Sequence, residues 1–283
     1  MISVLIPVLS LVGAAATVFF THINFLYAIP LFLGYMVALS ALFFLFAIIA
    51  SLAIKKVDPP SPDRRPQNPF YRFLLIEAYS IALRFMRVRV TVSGTEHLPK
   101  PGKTFLLVSN HLSNYDHMTM MVRLRRHKLA FISKPENYAI PVIGRYLQES
   151  AFLPIDRENA MNAVRTIRNA SLAMEAGELS YGIFPEGTRS RTGELLPFHD
   201  GVFFAAKRAK VPVVVVQKSG TPEGHRRGPW RATRVRMDIL GTFDEEFVRT
   251  HNDREISAAA REMMVACEER LGNVDVKPEP ANK

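Results

Sequence analysis

The first 54 residues contain no Asp, Glu, Lys or Arg, and only the tetrapeptide THIN at 21–24 interrupts their apolar character. Such a stretch does not belong in water. As one helix it would run roughly 80 Å at ~1.5 Å per residue, against a hydrocarbon core of about 30 Å, so it must fold back on itself. Two helices joined near His22 and Asn24 are expected, the second from about Leu31 to Ile54. Acidic residues are scarce overall, 26 against 36 basic, and the formal net charge is +10 while 48% of residues are apolar. That combination excludes a disordered basic tail and indicates a folded protein with an anion-facing surface. Nucleic acid, anionic lipid and a phosphorylated substrate are all candidate partners. Cys267 is the one cysteine, which excludes an internal disulfide and a cysteine-based metal cluster. Internal repeats and low-complexity tracts are absent.

A cleaved signal peptide competes with the anchor reading of the N-terminus, but no positive residue precedes the apolar run, and GAAAT is followed by more apolar residues. Lys55, Lys56, Arg64 and Arg65 follow the second apolar segment, which by the positive-inside tendency places the remainder of the chain in the cytoplasm. Five prolines in VDPPSPDRRPQNPF, residues 57–70, make a stiff linker. The expected organisation is a membrane-anchoring helical hairpin over 1–54, a Pro-rich linker over 55–70, a globular domain over 71–272 and a flexible tail over 273–283.

Within the globular part, an amphipathic segment at 71–86 precedes VRVTVSG, where Val88, Val90 and Val92 alternate with polar residues as in a half-buried strand. TFLLVSN, KLAFISK, LSYGIFP and VPVVVVQK are short apolar runs of strand length, separated by segments of helix length. In one of these, Met161, Val164, Ile167 and Met174 keep near-helical spacing and Gly177 follows as a stop signal. The pattern predicts an α/β fold with a largely parallel central sheet flanked by helices. Residues 232–241, where Val235, Met237 and Ile239 alternate with Arg and Asp, read as a strand at or near an edge. A final helix is expected over about 253–271.

The segment NHLSNYD places His111 and Asp116 five residues apart. On one continuous helix they would stand about 140° apart and never meet, so contact requires a helix that starts between them. Ser113 to Asp116 has the Ser-x-x-acid form of a capping box, which supports that start. Two readings remain open: Asp116 caps the helix, or it also turns back to hold the imidazole of a general base. The location, after an apolar strand of an open α/β sheet, is where such folds place ligands. FPEGTRS at 184–190 also follows a strand. Its Pro185 and Gly187 shape a tight loop, and Glu186, Thr188 and Arg189 supply an acceptor, a hydroxyl and a cation suited to an anion. A polar turn with a surface Glu–Arg pair would look the same.

Together these segments resemble the lysophospholipid acyltransferase family of the 1-acylglycerol-3-phosphate acyltransferase type, over roughly residues 85–220. NHLSNYD is similar to its first block. KPENYAIPVIGRYLQESAFLPIDR is similar to its second, with Lys134, Glu136, Pro141, Gly144 and Arg157 matching, and FPEGTRS to its third. Val211 to Val216 stands where the fourth lies, with Pro212 matching and Val215 in place of a second proline; Ser150 and His199 also depart from the pattern. The resemblance implies transfer of a fatty acyl group from an acyl-CoA or acyl carrier protein to a lysophospholipid hydroxyl, with His111 as base and Asp116 as its partner. It assigns acceptor binding to Glu186, Gly187, Thr188 and Arg189, with Lys134 and Arg157 as further candidates, and it implies no cofactor and no metal. A bacterial inner membrane is then the expected setting.

The clusters RLRRHK (123–128) and HRRGPWRATRVR (225–236), the second around the single Trp230, suit anionic headgroups. No stacking array or recognition-helix pattern accompanies them, which argues against nucleic acid. A non-catalytic lipid-binding tether and a serine or metal-dependent lipid hydrolase are the rival classes. In the metal reading, His111, Asp116 and His117 would be the ligands.

Overall fold

The computed structural model describes residues 1–55, 60–61, 63–156, 158–221 and 231–275, the last five as backbone only. Lys56, Arg157, the part of the basic stretch from 225 to 230 that includes Trp230, and most of the tail lie outside the described residues.

Helices α1 (Ile2–Thr21) and α2 (Ala28–Leu52) form the hairpin. The turn falls where the polar residues stand: His22 adopts a left-handed conformation, and the Asn24 side chain accepts from the Leu26 N–H. Both helices are long and apolar enough to cross a membrane, and little of either is buried within the protein. Several of their polar side chains are satisfied locally. Ser10, Thr17 and Thr21 donate to carbonyls one turn back, and Thr17 also meets Tyr35 Oη at 3.0 Å across the hairpin. Local satisfaction is the condition a lipid environment imposes on polar groups.

The two open ends of the hairpin are fastened to the globular part. Arg84 donates to the Ser3 carbonyl at 2.6 Å, Tyr146 Oη to Ala47 at 2.7 Å and Arg145 to Ser51 at 3.0 Å. Helix α3 (Pro69–Phe85) then begins where sequence chemistry asks for it, with the Asn68 side chain accepting from Phe70 N–H and Pro69 in the first turn.

The strands are β1 (Val88–Ser93), β2 (Leu106–Ser109), β3 (Leu129–Ser133), β4 (Leu153–Pro154), β5 (Ser180–Ile183), β6 (Val213–Ser219) and β7 (Thr233–Phe243). They form one sheet in the order β1-β7-β6-β2-β5-β3-β4, parallel at every junction except β6–β7. Flanking helices are α4 (Tyr115–Arg123), α5 (Ile143–Glu149), α6 (Ala160–Glu175), α7 (Phe204–Ala209), α8 (Glu245–Thr250) and α9 (Asp253–Asp275). The largely parallel sheet expected from the apolar runs is present. Strand β7 is next to the edge and β1 is outermost, with the alternating burial both sequences announce.

Three details differ from expectation. The two-residue strand β4 carries no periodicity to read. In α6, Ile167 and Met174 are buried but Met161 and Val164 are exposed. The buried stripe also uses Thr166, Ala170, Ser171 and Ala173, small residues that let the helix lie close to the sheet. Finally, α9 continues to Asp275, into the segment expected to be a flexible tail.

Candidate active site

Strands β6, β2 and β5 are neighbours at the centre of the sheet, and their carboxyl ends bring together residues 100 positions apart in sequence. His111 lies just beyond β2, the FPEGTRS loop follows β5, and Lys218 is near the end of β6. This is the edge of a parallel sheet at which side chains converge without a strand to cover them.

His111 Nδ1 lies 2.9 Å from Asp116 Oδ2. The same oxygen accepts the N–H groups of Leu112 and Ser113, each at 2.7 Å, so the carboxylate caps the incoming turn and holds the imidazole at once. The capping contact and the contact with the imidazole are therefore both present. The helix itself begins at Tyr115, with the Asp116 N–H bonded to the Ser113 carbonyl at 3.1 Å, so the chain turns between the two residues as contact requires. Asp116 is fully buried, whereas His111 keeps part of its ring exposed. With Nδ1 donating to the carboxylate, Nε2 is left as the proton acceptor.

The FPEGTRS loop grips His111 in three ways. Phe184 stacks on the imidazole with centroids 4.0 Å apart and planes 13° from parallel. Glu186 Oε1 accepts the His111 N–H at 2.8 Å, and the Ser190 N–H donates to the His111 carbonyl, also at 2.8 Å. Gly187 makes this possible with φ of 70°, in the left-handed region that side chains disfavour.

Glu186, which the resemblance assigned to acceptor binding, bonds the backbone on both sides of the site. It is buried, and its second oxygen accepts from Leu196 N–H at 3.3 Å, so both oxygens face the protein backbone. A carboxylate in that position braces the loop against the segment that carries His111. Burial pushes its carboxyl up to about 7, against the backbone bonds from His111 and Leu196. Thr188 and Arg189 are exposed beside it, and Arg189 makes no ion pair among the described residues. Lys134, also exposed, directly follows β3 on the same edge of the sheet, without bonding to the dyad.

Sequence reasoning missed Lys218 and Asn110. Lys218 Nζ, fully buried, lies 3.0 Å from Asp116 Oδ1 and 3.0 Å from the Asp116 carbonyl, and it also bonds Thr119 Oγ1. Burial alone would raise the Asp116 carboxyl, but the Lys218 charge and the His111 and Ser113 bonds hold it well below the usual carboxylate range. Burial pulls Lys218 down while Asp116 pulls it back. Three acceptors around Nζ decide for the charged pair. The signal available was a lysine ending an otherwise apolar strand, VVVVQK.

His117 does not join His111 and Asp116. It is half-buried and packs edge-on against Phe131 and Phe152, its Nε2 lies 3.3 Å from Tyr79 Oη, and desolvation lowers it to about 4. Among the described residues, no group of three or more His, Cys, Asp or Glu side chains is arranged to hold a metal.

At the carboxyl edge of a mostly parallel sheet, a His–Asp dyad is braced by the FPEGTRS loop, with the exposed Arg189 beside it. The chain matches the family described as Acyltransferase over residues 89–218. It is similar to the 1-acyl-sn-glycerol-3-phosphate acyltransferase of Haemophilus influenzae, with 29% identity over 60% of this chain and 69% of the relative. The Saccharomyces cerevisiae enzyme of the same name is 27% identical over 69% of this chain and 64% of its own length. A chloroplast enzyme of that name from Brassica napus is 32% identical over 56% of this chain and 44% of its own. The chain thus spans from under half to about two thirds of the length of these relatives. Its fold is that of the crystal structure of the 1-acyl-sn-glycerophosphate (LPA) acyltransferase PlsC from Thermotoga maritima, with TM-score 0.59, 23% identity, and coverage of 83% of this chain and 89% of that one.

Proposed function

We propose that this protein transfers a fatty acyl group from an acyl thioester, acyl-CoA or acyl carrier protein, to the free hydroxyl of 1-acylglycerol-3-phosphate, forming phosphatidic acid. The observation that carries the reading is the His111–Asp116 dyad, held by the loop that also exposes Thr188 and Arg189. His111 Nε2 removes the hydroxyl proton as the oxygen attacks the thioester carbonyl, and Asp116 stabilises the imidazolium that forms. Collapse of the tetrahedral species expels the thiolate, which takes the proton back from Nε2. The ester forms, the thioester breaks, and no enzyme-bound acyl group is needed. Arg189, fixed in charge and exposed, suits the acceptor phosphate through paired N–H donors.

The hairpin supplies the second half of the proposal. Its exposed Leu, Ile and Phe side chains suit insertion into a bilayer, which delivers a water-insoluble acceptor to the site. Lys55, Arg64 and Arg65 near its open ends favour the cytoplasmic face of a bacterial inner membrane, with anionic headgroups as neighbours.

The test is mass-spectrometric detection of acyl transfer from a long-chain acyl-CoA, and separately from an acyl carrier protein, to a mixture of lysophosphatidic acid and zwitterionic lysolipids. Phosphatidic acid formed by the native protein and lost in His111→Ala is the expected result. Product from another lysolipid overturns the acceptor. No product with either donor overturns the reaction.

A further inference from the structure

A fully buried lysine is rare and needs a reason. Lys218 has every Nζ donor directed at one short stretch, the Asp116 carboxylate, the Asp116 carbonyl and the Thr119 hydroxyl. Its backbone is fixed just as tightly: Asn110 Oδ1 accepts the Lys218 N–H at 2.8 Å and Asn110 Nδ2 donates to the Lys218 carbonyl at 2.9 Å. Asn110 immediately precedes His111. Lys218 is thereby registered against the base from one side and against the base's partner from the other. Asp116 divides its oxygens between them, Oδ2 to His111 and Oδ1 to Lys218.

We propose that Lys218 is a positioning residue for the reaction, a third member of the proton-transfer assembly that acts on His111 through Asp116. Two effects follow from the geometry. Lys218 fixes the carboxylate plane by holding the oxygen that His111 does not use. It also offsets the Asp116 charge, so that His111 is oriented by a carboxylate without meeting an uncompensated negative charge. Without Lys218, a dry carboxylate beside an imidazole retains a proton more tightly, on one group or the other, and the base is occupied when substrate arrives. The charged and titratable groups that face this assembly are Asp116 and His117 from α4, Glu186 from the loop after β5, Lys218 from β6, Tyr79 from α3 through His117, and Glu268 from α9.

The kinetic arm of the test rests on the acyl-transfer reading; a spectroscopic arm does not. For Lys218→Met in the full-length protein in micelles, the acid limb of the kcat/KM profile is expected to move up by about one pH unit, the low end for a charge at this range. KM for lysophosphatidic acid should stay within about twofold, because Lys218 does not reach the acceptor. The imidazole titration of the dyad, read by 15N NMR and assigned with His111→Asn, should move up by the same amount with no substrate present. In an Asp116→Asn background, Lys218→Met should cause no further shift, since the path runs through Asp116. If Lys218→Met loses its fold, Lys218→Gln, which keeps a polar N–H donor in the buried site but removes the charge, reads the same shift. A uniform loss of activity across pH with the imidazole titration unmoved overturns the assignment. A shift that persists in the Asp116→Asn background overturns the route through Asp116. A native protein that transfers no acyl group refutes the proposed reaction alone, and the imidazole titration still decides on Lys218.

Discussion

Gly182, in the middle of β5, is the place where one added carbon should disturb both packing and chemistry. A Cβ there would stand 2.3, 2.6 and 2.7 Å from three ring carbons of Phe131, its direct neighbour on β3, where ordinary contact begins at 3.4 Å. The ring would have to retreat by about 1 Å, the difference between 2.3 and 3.4 Å. It has little room to do so. Phe131 is buried, with Phe184 at 5.8 Å, Phe152 at 6.0 Å and His117 at 6.0 Å between ring centres. Gly182→Ala carries no backbone penalty of its own, because Gly182 has ordinary strand geometry. Its effect is therefore overpacking, about 1–3 kcal/mol. At ~2–4 °C per kcal/mol for a domain of this size, melting should fall by about 2–12 °C. Because Phe131 abuts Phe184 and Phe184 is stacked on His111, kcat should also fall, about 10- to 100-fold for a displacement near 1 Å. Thermal unfolding followed by circular dichroism in one detergent, with initial-rate kinetics in the same micelles, reads both. Gly182→Ala/Phe131→Leu, which removes the obstructing ring edge, should recover part of the lost melting temperature. A single variant that melts within a degree of the native protein and keeps its kcat refutes the reasoning, as does a double variant that recovers nothing.

Other predictions concern charge. Burial lowers His117 to about 4, so the unfolded chain binds a proton that the folded protein refuses, and stability is lost as pH falls from about 6.5 towards 4. Tyr79→Phe/His117→Phe, which removes both hydrogen-bonding partners together, should flatten this acid slope in thermal melts; an unchanged slope would assign it to other groups. Burial raises Glu186 to about 7, so its folded form holds a proton more tightly than the unfolded chain, and stability is lost as pH rises from the ordinary glutamate range through 7. The melting advantage of the native protein over Glu186→Gln should therefore shrink between about pH 5 and about pH 8, and a constant difference would show that Glu186 stays ionised throughout. Arg189→Ala should leave melting unchanged and raise KM for lysophosphatidic acid by about 10- to 100-fold, as expected for one charge-assisted contact. An unchanged KM would remove Arg189 from the acceptor site.

Local pattern was enough for the hairpin, because 54 uncharged residues leave no alternative to apolar surroundings, and the polar THIN segment marks where the chain turns. It was enough for the central strands, whose continuous apolar runs require cover on both faces. For His111 and Asp116 it allowed the contact, since five residues and a capping signal span one turn, but only the fold showed that Asp116 both caps and holds the imidazole. The sheet order was beyond it. Which strands become neighbours depends on helices packing from both ends of the chain, and that order alone sets β6 against β2. Lys218 was illegible for this reason: a lysine closing an apolar strand reads as a strand end reaching for water until the fold places Asp116 over it. The backbone partners of Glu186 were illegible for a related one. A carboxylate in a polar turn has the same sequence signature whether it faces solvent or accepts two backbone N–H groups, and only the approach of the β2 loop decides. Sequence determines what short-range sterics and apolar surface impose, while the partners of a buried charge, separated here by 102 residues, are determined by tertiary packing.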